Sequence, residues 1–229
     1  MPVRTEDDDG VRIITIDRPE RRNAVDGPMA QELREAFAAF ENEPGTQAAV
    51  LTGAGGMFCA GNDLKAIAAG DFPAPTVEGP PPMQVTRGRA AKPIVAAIEG
   101  YCFGGGFELA LWADLRIAST TAEFGLLNLG KGLPCLDGAT VRLPRIVGHG
   151  RAMELILTGR RLSAADALTY GLVTQVVDPG RALPAALALA AQIAATPPEA
   201  LQAARRSALD QWSLHESAAT AHEAEIALT

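Results

Sequence analysis

The stretch Ile98-Glu-Gly-Tyr-Cys-Phe-Gly-Gly-Gly-Phe-Glu-Leu-Ala110 puts three consecutive glycines, Gly104 to Gly106, between an apolar run and a helix-forming one. Glycine there permits backbone angles closed to other residues and lets a ligand approach the main chain. The first N–H groups of the helix that follows lack internal partners and stand at its positive end. Such donors suit an oxygen on which negative charge develops. Glu108, one turn in, is placed to move a proton on whatever occupies that position. A second turn, Phe58-Cys-Ala-Gly-Asn-Asp-Leu-Lys65, has the same character. Gly61 tightens it, and the N–H of Asn62 is left free just before a helix. Either turn alone equally suits plain helix–strand packing, and a glutamate in a first turn equally suits the helix dipole. Together they describe two N–H donors and a carboxylate.

The elements that must position these groups follow from patterning. Val11–Asp17 alternates and is β-branched, a strand ended by Arg18-Pro19. Asp26 caps a helix with Pro28 in its first turn and Leu33, Ala36, Phe37 and Phe40 on one face. Ala48–Thr52 is a short buried strand and Pro93–Ile98 another. Gly100 to Gly106 reads as a glycine-rich turn, with helix established over Glu108–Trp112. Leu115–Ala118 is a strand, Glu123–Gly125 extends the same sheet, and Leu172–Val177 is the last strand. Helices follow near 180–195 and 198–212. Residues 71–82, with five prolines and a glycine, form a surface loop. The order strand–helix–strand–turn–strand–helix–strand, then helices, gives an α/β core with a helical C-terminal part. The division falls at 1–195 for the core and 196–229 for the C-terminal region.

This pair of turns resembles the crotonase (enoyl-CoA hydratase/isomerase) family, whose FxAGxDL and GGG-x-E-L segments each give one N–H to an oxyanion hole for an acyl-CoA thioester. Further matches keep the family's order: Arg18-Pro19 with Asn23-Ala24, Val50–Gly53, Lys92–Ile94, Ala113–Arg116, Phe124-Gly125, Thr140–Pro144, Leu157–Gly159 and Ala164–Val177. The resemblance spans about residues 10–212. It implies a crotonase-like ββα spiral with a C-terminal trimerisation region. The oxyanion donors are then the N–H groups of Asn62 and Gly105. Ala60, Asn62, Asp63, Leu64 and Lys65, with Gly104 and Gly105, line the acyl-CoA site, and Arg22 and Ala24 lie near the CoA end. Glu108 matches the first of the two catalytic glutamates of hydratases. No metal or redox cofactor is implied, since coenzyme A arrives with the substrate. A homotrimer or homohexamer is expected.

The family's second glutamate is absent. Where hydratases read FGxPE, this chain reads Phe124-Gly-Leu-Leu-Asn128. The amide of Asn128 can orient a water or substrate but cannot cycle a proton. Asp137, in Cys135-Leu-Asp-Gly138, is a substitute or else the N-cap of a helix starting near Ala139. Three functions fit: enoyl-CoA hydration in fatty-acid or related acyl-CoA metabolism, double-bond isomerisation or other enolate chemistry, and non-catalytic binding of CoA esters.

Composition excludes other classes. The 229 residues carry net charge −7, which argues against nucleic acid. Hydrophobic content of 48% and charged content of 21% suit a globular chain. Cys59, Cys102 and Cys135 are scattered without metal-ligand spacing, as in a reduced, cytoplasmic protein. Cys102 reads as a small apolar residue rather than a nucleophile. No apolar run reaches the roughly 20 residues of a membrane span, and the acidic N-terminus lacks a signal-peptide pattern. Gly125–Gly132 approaches a phosphate-loop pattern but ends in glycine where a hydroxyl is needed. His149, His215 and His222 form no metal spacing, and His215 and His222, seven apart, share a helix face. The chain ends before the further helix with which family members close the acyl-CoA site.

Overall fold

A computed structural model describes residues 2–72 and 74–228. Pro73, inside the proline-rich loop, and the two terminal residues lie outside the described residues. The chain opens with a hairpin of β1 (Val3–Asp8) and β2 (Val11–Ile16), turned by Asp9 and Gly10 at φ 43° and 81°. Two positive-φ residues match the right-handed twist of the paired strands. Sequence patterning does not mark β1, because after Val3 every side chain in VRTEDD is exposed. It is an edge strand held by its main-chain ladder, by the buried Val3, and by the ion pairs Arg4–Asp17 and Arg12–Asp7.

Helix α1 (Gly27–Asn42) is capped as predicted: the Asp26 carboxylate accepts from Met29 N–H at 3.0 Å. Its apolar stripe of Met29, Leu33, Phe37 and Phe40 is buried. The parallel strand β3 (Ala48–Gly53) and the short α2 (Leu64–Ala69) follow. Next come β4 (Ile94–Ile98), β5 (Tyr101–Phe103), α3 (Gly105–Trp112), β6 (Leu115–Ser119) and β7 (Glu123–Gly125). Then follow α4 (Ala139–Val147), α5 (His149–Thr158), β8 (Leu162–Ser163), α6 (Ala164–Thr169) and β9 (Gln175–Val177). The C-terminal helices are α7 (Ala182–Ala194), α8 (Pro198–Asp210) and α9 (Glu216–Ala227).

The larger sheet runs β1-β2-β3-β4-β6-β9, parallel except for the first pair. Its central strands are buried on both faces, and the two-residue period sorts their side chains. Ala49, Leu51, Ile94, Ala96 and Ile98 join the main core with α1, while Ala48, Val50, Val95 and Ala97 pack with Ala182, Ala186 and Ala190 of α7. Alanine on α7 lets that helix lie close on the sheet.

A second sheet, β5-β7-β8, corrects two sequence expectations. Glu123–Gly125 does not extend the first sheet; it pairs in parallel with Tyr101–Phe103, which the sequence presented as turn. After a corner at 99–100 the chain leaves β4 for β5, and after 120–122 it leaves β6 for β7. The first circuit does the same on a smaller scale, since Cys59 bridges Cys102 in parallel after β3. Successive circuits thus place one strand in each sheet before a helix, which is the ββα spiral. Helix α3 also begins earlier than the sequence suggested, at Gly105. The last strand is shorter than expected, at Gln175–Val177.

Neither α8 nor α9 buries any described residue. Ion pairs tie α8 down, Arg205 to Asp114 at 2.9 Å and Arg89 to Asp210 at 2.6 Å. His215 and His222 do not share a helix face: His215 is the extended residue before α9, and His222 lies 3.0 Å from Asp210. No helix among the described residues is long and apolar enough to cross a membrane.

Candidate active site

The two glycine turns meet main chain to main chain. Cys59 N–H donates to Tyr101 O at 2.9 Å and Phe103 N–H to Cys59 O at 3.0 Å, stitching the first turn onto β5. Gly61, at φ 97°, lies so close that a Cβ would sit 2.8 Å from Phe103 O and 3.1 Å from Gly105 N. A Cβ on Gly106 would overlap the carbonyl of Cys59. Glycine is therefore required by a close approach, which carries the N–H groups of Asn62 and Gly105 to one place. Among the described residues neither N–H has an acceptor. Gly105 is the first residue of α3, so its N–H is one of the unpaired donors at that helix's positive end.

Both turns open into a cavity of about 500 Å³, of the size that holds small ligands. Glu108 lies in its wall, 2% exposed. Its Oε1 accepts from Asp137 N–H and Ala139 N–H, each at 3.0 Å. The carboxylate thus sits at the N-terminus of α4, while Oε2 has no hydrogen bond within the described chain. Burial pushes the Glu108 carboxyl up to about 7; the N–H bond from Ala139 opposes this, and the Asp137 charge adds to it.

Asp137 is not the cap of α4; that position belongs to Gly138, at φ 99° and without a side chain. The Asp137 carboxyl turns the other way. Its Oδ1 accepts from Met83 N–H at 2.9 Å and from the Thr86 hydroxyl at 2.6 Å, and its Oδ2 is buried without a partner. Burial raises its pKa, and the bonds from Thr86 and Met83 restrain the rise. Asn128 donates to Leu133 O at 3.0 Å, which leaves its Oδ1 buried and unpaired near Gly104. The orphaned buried side-chain oxygens of the described residues are those of Asn62, Asn128 and Asp137, and all three residues line this one cavity. Unpaired buried polar atoms are rare in folded proteins and tend to mark functional sites.

The sequence model of the enoyl-CoA hydratase/isomerase family matches residues 6–228. The chain belongs to that family. It is 40% identical over 224 residues to the (E)-benzylidenesuccinyl-CoA hydratase of Thauera aromatica, covering 91% of this chain and 82% of that one. An enoyl-CoA hydratase of Mycobacterium tuberculosis is 38% identical over 221 residues, covering 94% and 83%. The crystal structure of an enoyl-CoA hydratase from Mycobacterium tuberculosis H37Rv superposes with TM-score 0.93 at 40% identity, over 98% of this chain and 88% of that one. The crotonase fold, and an enzyme of the enoyl-CoA hydratase kind, follow.

Within this family frame the predicted residues separate into two groups. Arg22, Ala60, Asn62, Leu64, Gly104, Gly105, Glu108, Asn128 and Asp137 all line the cavity. Ala24, Asp63 and Lys65 stand outside its wall. Asp63 is turned inward as the N-cap of α2, accepting from Lys65 N–H at 2.9 Å and pairing with Arg18 at 3.0 Å. Bonds from the α2 N–H groups and the Arg18 guanidinium outweigh burial and hold its pKa below the usual carboxylate value. Ala24 gives its carbonyl to the same guanidinium, and Lys65 is exposed. Arg18 therefore adds a side-chain tie between the turns at 22–24 and 60–63, which main-chain bonds already join, Ala60 N–H to Arg22 O at 3.0 Å and Val25 N–H to Gly61 O at 2.8 Å.

Sequence reasoning missed Thr86 and Met83, which orient Asp137 from more than 50 residues away. It also missed the stacked pair Tyr101 and Phe103 in the cavity wall, with Arg22 over the first ring and Arg161 over the second. Alternation along β5 puts both rings on one face, a signal available once β5 is known to be a strand. The proline-rich loop is more than surface, since Phe72, Ala74, Pro75 and Pro82 line the cavity.

Proposed function

We propose that this chain adds water reversibly across the double bond of 2-enoyl-CoA thioesters, with the thioester oxygen held by the N–H groups of Asn62 and Gly105. The observation that carries this is the meeting, in one cavity, of those two free donors with Glu108. As the water oxygen bonds to the β-carbon, the π electrons move toward the carbonyl oxygen, where two preorganised donors stabilise the charge. Asp137, whose charge is present while Glu108 still holds its proton, takes the water's proton through Oδ2. The α-carbon is then protonated to give the 3-hydroxyacyl thioester, Glu108 supplies that proton through Oε2, and proton exchange through solvent returns both carboxyls to their starting states. Each carboxyl has one oxygen tied by two hydrogen bonds and the other unpaired, which supports this division of labour. Asn128 orients the water with its unpaired Oδ1, in place of the family's second glutamate. The steps use only proton transfer and hydrogen-bond donors, with coenzyme A brought in by the substrate.

The relatives named as hydratases of CoA thioesters support the same substrate class. The unburied faces of α8 and α9, with Trp212 half exposed, support assembly into a homotrimer or homohexamer. Glu108→Gln and Asp137→Asn should each lower kcat for crotonyl-CoA hydration by about 10²–10⁴-fold, while binding of butyryl-CoA persists. Full activity in either variant would overturn the role given to that residue.

A further inference from the structure

Behind Asp137 lies a second cavity, also of about 500 Å³, and Leu136 and Asp137 belong to the walls of both. Its charge is at odds with the chain. The protein carries net charge −7, yet Arg87, Arg89, Arg116, Arg142, Arg145 and Arg205 line this space against two carboxylates, Asp114 and Asp137. Three of the arginines are accounted for by the fold. Arg89 pairs with Asp210, Arg205 with Asp114, and buried Arg116 donates to the carbonyls of Ala110, Ala113, Asp114 and Leu172.

The other three have no carboxylate partner among the described residues. Arg87 reaches the carbonyls of Thr76 and Val77, and Arg142 those of Thr86, Gly88 and Asp137. Arg145 donates no hydrogen bond to any described residue and lies over the Trp212 ring, 5.3 Å from its centre. Surplus guanidinium groups in a recess focus positive potential and favour an anion, most of all a carboxylate that matches their fork. The same walls carry Leu111, Trp112, Val141, Ile146 and Leu209. A lining that mixes apolar side chains with guanidinium groups fits a hydrocarbon chain that terminates in a carboxylate better than an inorganic ion.

We propose that the acyl chain of the substrate passes the Leu136–Asp137 partition and seats a distal carboxylate in this arginine-lined cavity, so that the chain favours CoA monothioesters of dicarboxylic acids. The inference rests on the reading that the first cavity holds the thioester. Arg145 is the residue to vary, because it is exposed and its side chain holds only the Trp212 ring among the described residues.

Binding is the readout, so that turnover is not needed. Adipoyl-CoA and suberoyl-CoA are compared with hexanoyl-CoA and octanoyl-CoA by calorimetry on the native protein, on Arg145→Gln and on Arg145→Lys. One charge-assisted pair corresponds to about a tenfold change in Kd. The expected result is a preference of about tenfold or more for the dicarboxylic thioester of fitting length, abolished in Arg145→Gln and partly kept in Arg145→Lys, with the methyl-ended thioesters unchanged throughout. Equal affinities at both lengths, or a preference that survives Arg145→Gln, would overturn the proposal. Free adipate that binds in an Arg145-dependent way, without any preference between thioesters, would make the cavity a separate anion site and overturn the connection. Failure of every thioester to bind would instead bring down the reading of the first cavity, and this inference with it.

Discussion

Replacing Glu108 by Gln should make the protein more stable in alkaline solution and leave it unchanged in acid. The unfolded chain ionises this carboxyl near 4.5 and the folded chain at about 7, chiefly because the group is buried. Between those values the folded protein keeps a proton that the unfolded chain has released. The stabilising contribution is therefore complete below about pH 4.5 and is lost as pH rises through about 7. The loss approaches 2.303RT multiplied by the shift, about 3 kcal/mol. A glutamine side chain has the same shape, and its amide oxygen can accept from Asp137 N–H and Ala139 N–H as the Glu108 carboxyl does. It has no charge to desolvate. Urea unfolding of both proteins at pH 4.5 and pH 8.5, with equal slopes, isolates the effect, because other titrating groups are common to both. The difference should be near zero at pH 4.5 and about 3 kcal/mol in favour of the variant at pH 8.5. A difference independent of pH, or a variant less stable at pH 8.5, would refute the argument that Glu108 is kept buried at a cost to the fold.

Other consequences follow from neighbouring contacts. Gly61→Ala forces a Cβ against Phe103 O and Gly105 N, so the two donors separate and kcat for crotonyl-CoA hydration should fall by about 10²–10³-fold; an unchanged kcat in the folded variant would contradict the close-approach argument. Thr86→Val removes a hydrogen bond that holds the Asp137 pKa down, so the limb of the pH–kcat profile belonging to Asp137 should move to higher pH. A profile unmoved by Thr86→Val would detach Asp137 from the reaction. Asp63→Ala uncaps α2 and removes one of the ion pairs of Arg18, which keeps Asp26 at 2.9 Å, and denaturant unfolding should show a loss of about 1–2 kcal/mol. KM for the CoA thioester should rise more than kcat falls, because the turn at 60–63 loses its side-chain tie to Arg18 and is held to the turn at 22–24 by main-chain bonds alone.

The two turns that carry Asn62, Gly105 and Glu108 were legible in the sequence because close main-chain approach at Gly61 and Gly106 and a positive φ at Gly104 each favour glycine, a demand written locally in the chain. Local patterning also marked α1, with its Asp26 cap, and the twice-buried strands β3 and β4. Where the signal was distributed, it failed. Strand β1 carries almost no apolar face, and the three-residue strands β5 and β7 are too short to show a period. Gly105 and Gly106 read as turn although they are helical, since what selects glycine at 106 is the Cys59 carbonyl across the site rather than the backbone angle. Asp137 is adjacent to a helix start, so a cap was a natural reading. Its partners Met83 and Thr86 lie in a segment without helix or strand, and no spacing rule connects 83–86 with 137. The arginine-lined cavity is assembled from the segment 86–90, α3, α4 and α8, and its charge surplus is invisible in a chain of net charge −7.

The most direct test of the central claim is incubation of crotonyl-CoA with the purified protein in deuterium oxide, followed by mass spectrometry of the thioester. The account predicts 3-hydroxybutyryl-CoA carrying one deuteron at the α-carbon, with formation suppressed in Glu108→Gln. Unaltered crotonyl-CoA, under conditions where it is shown to bind, would contradict it.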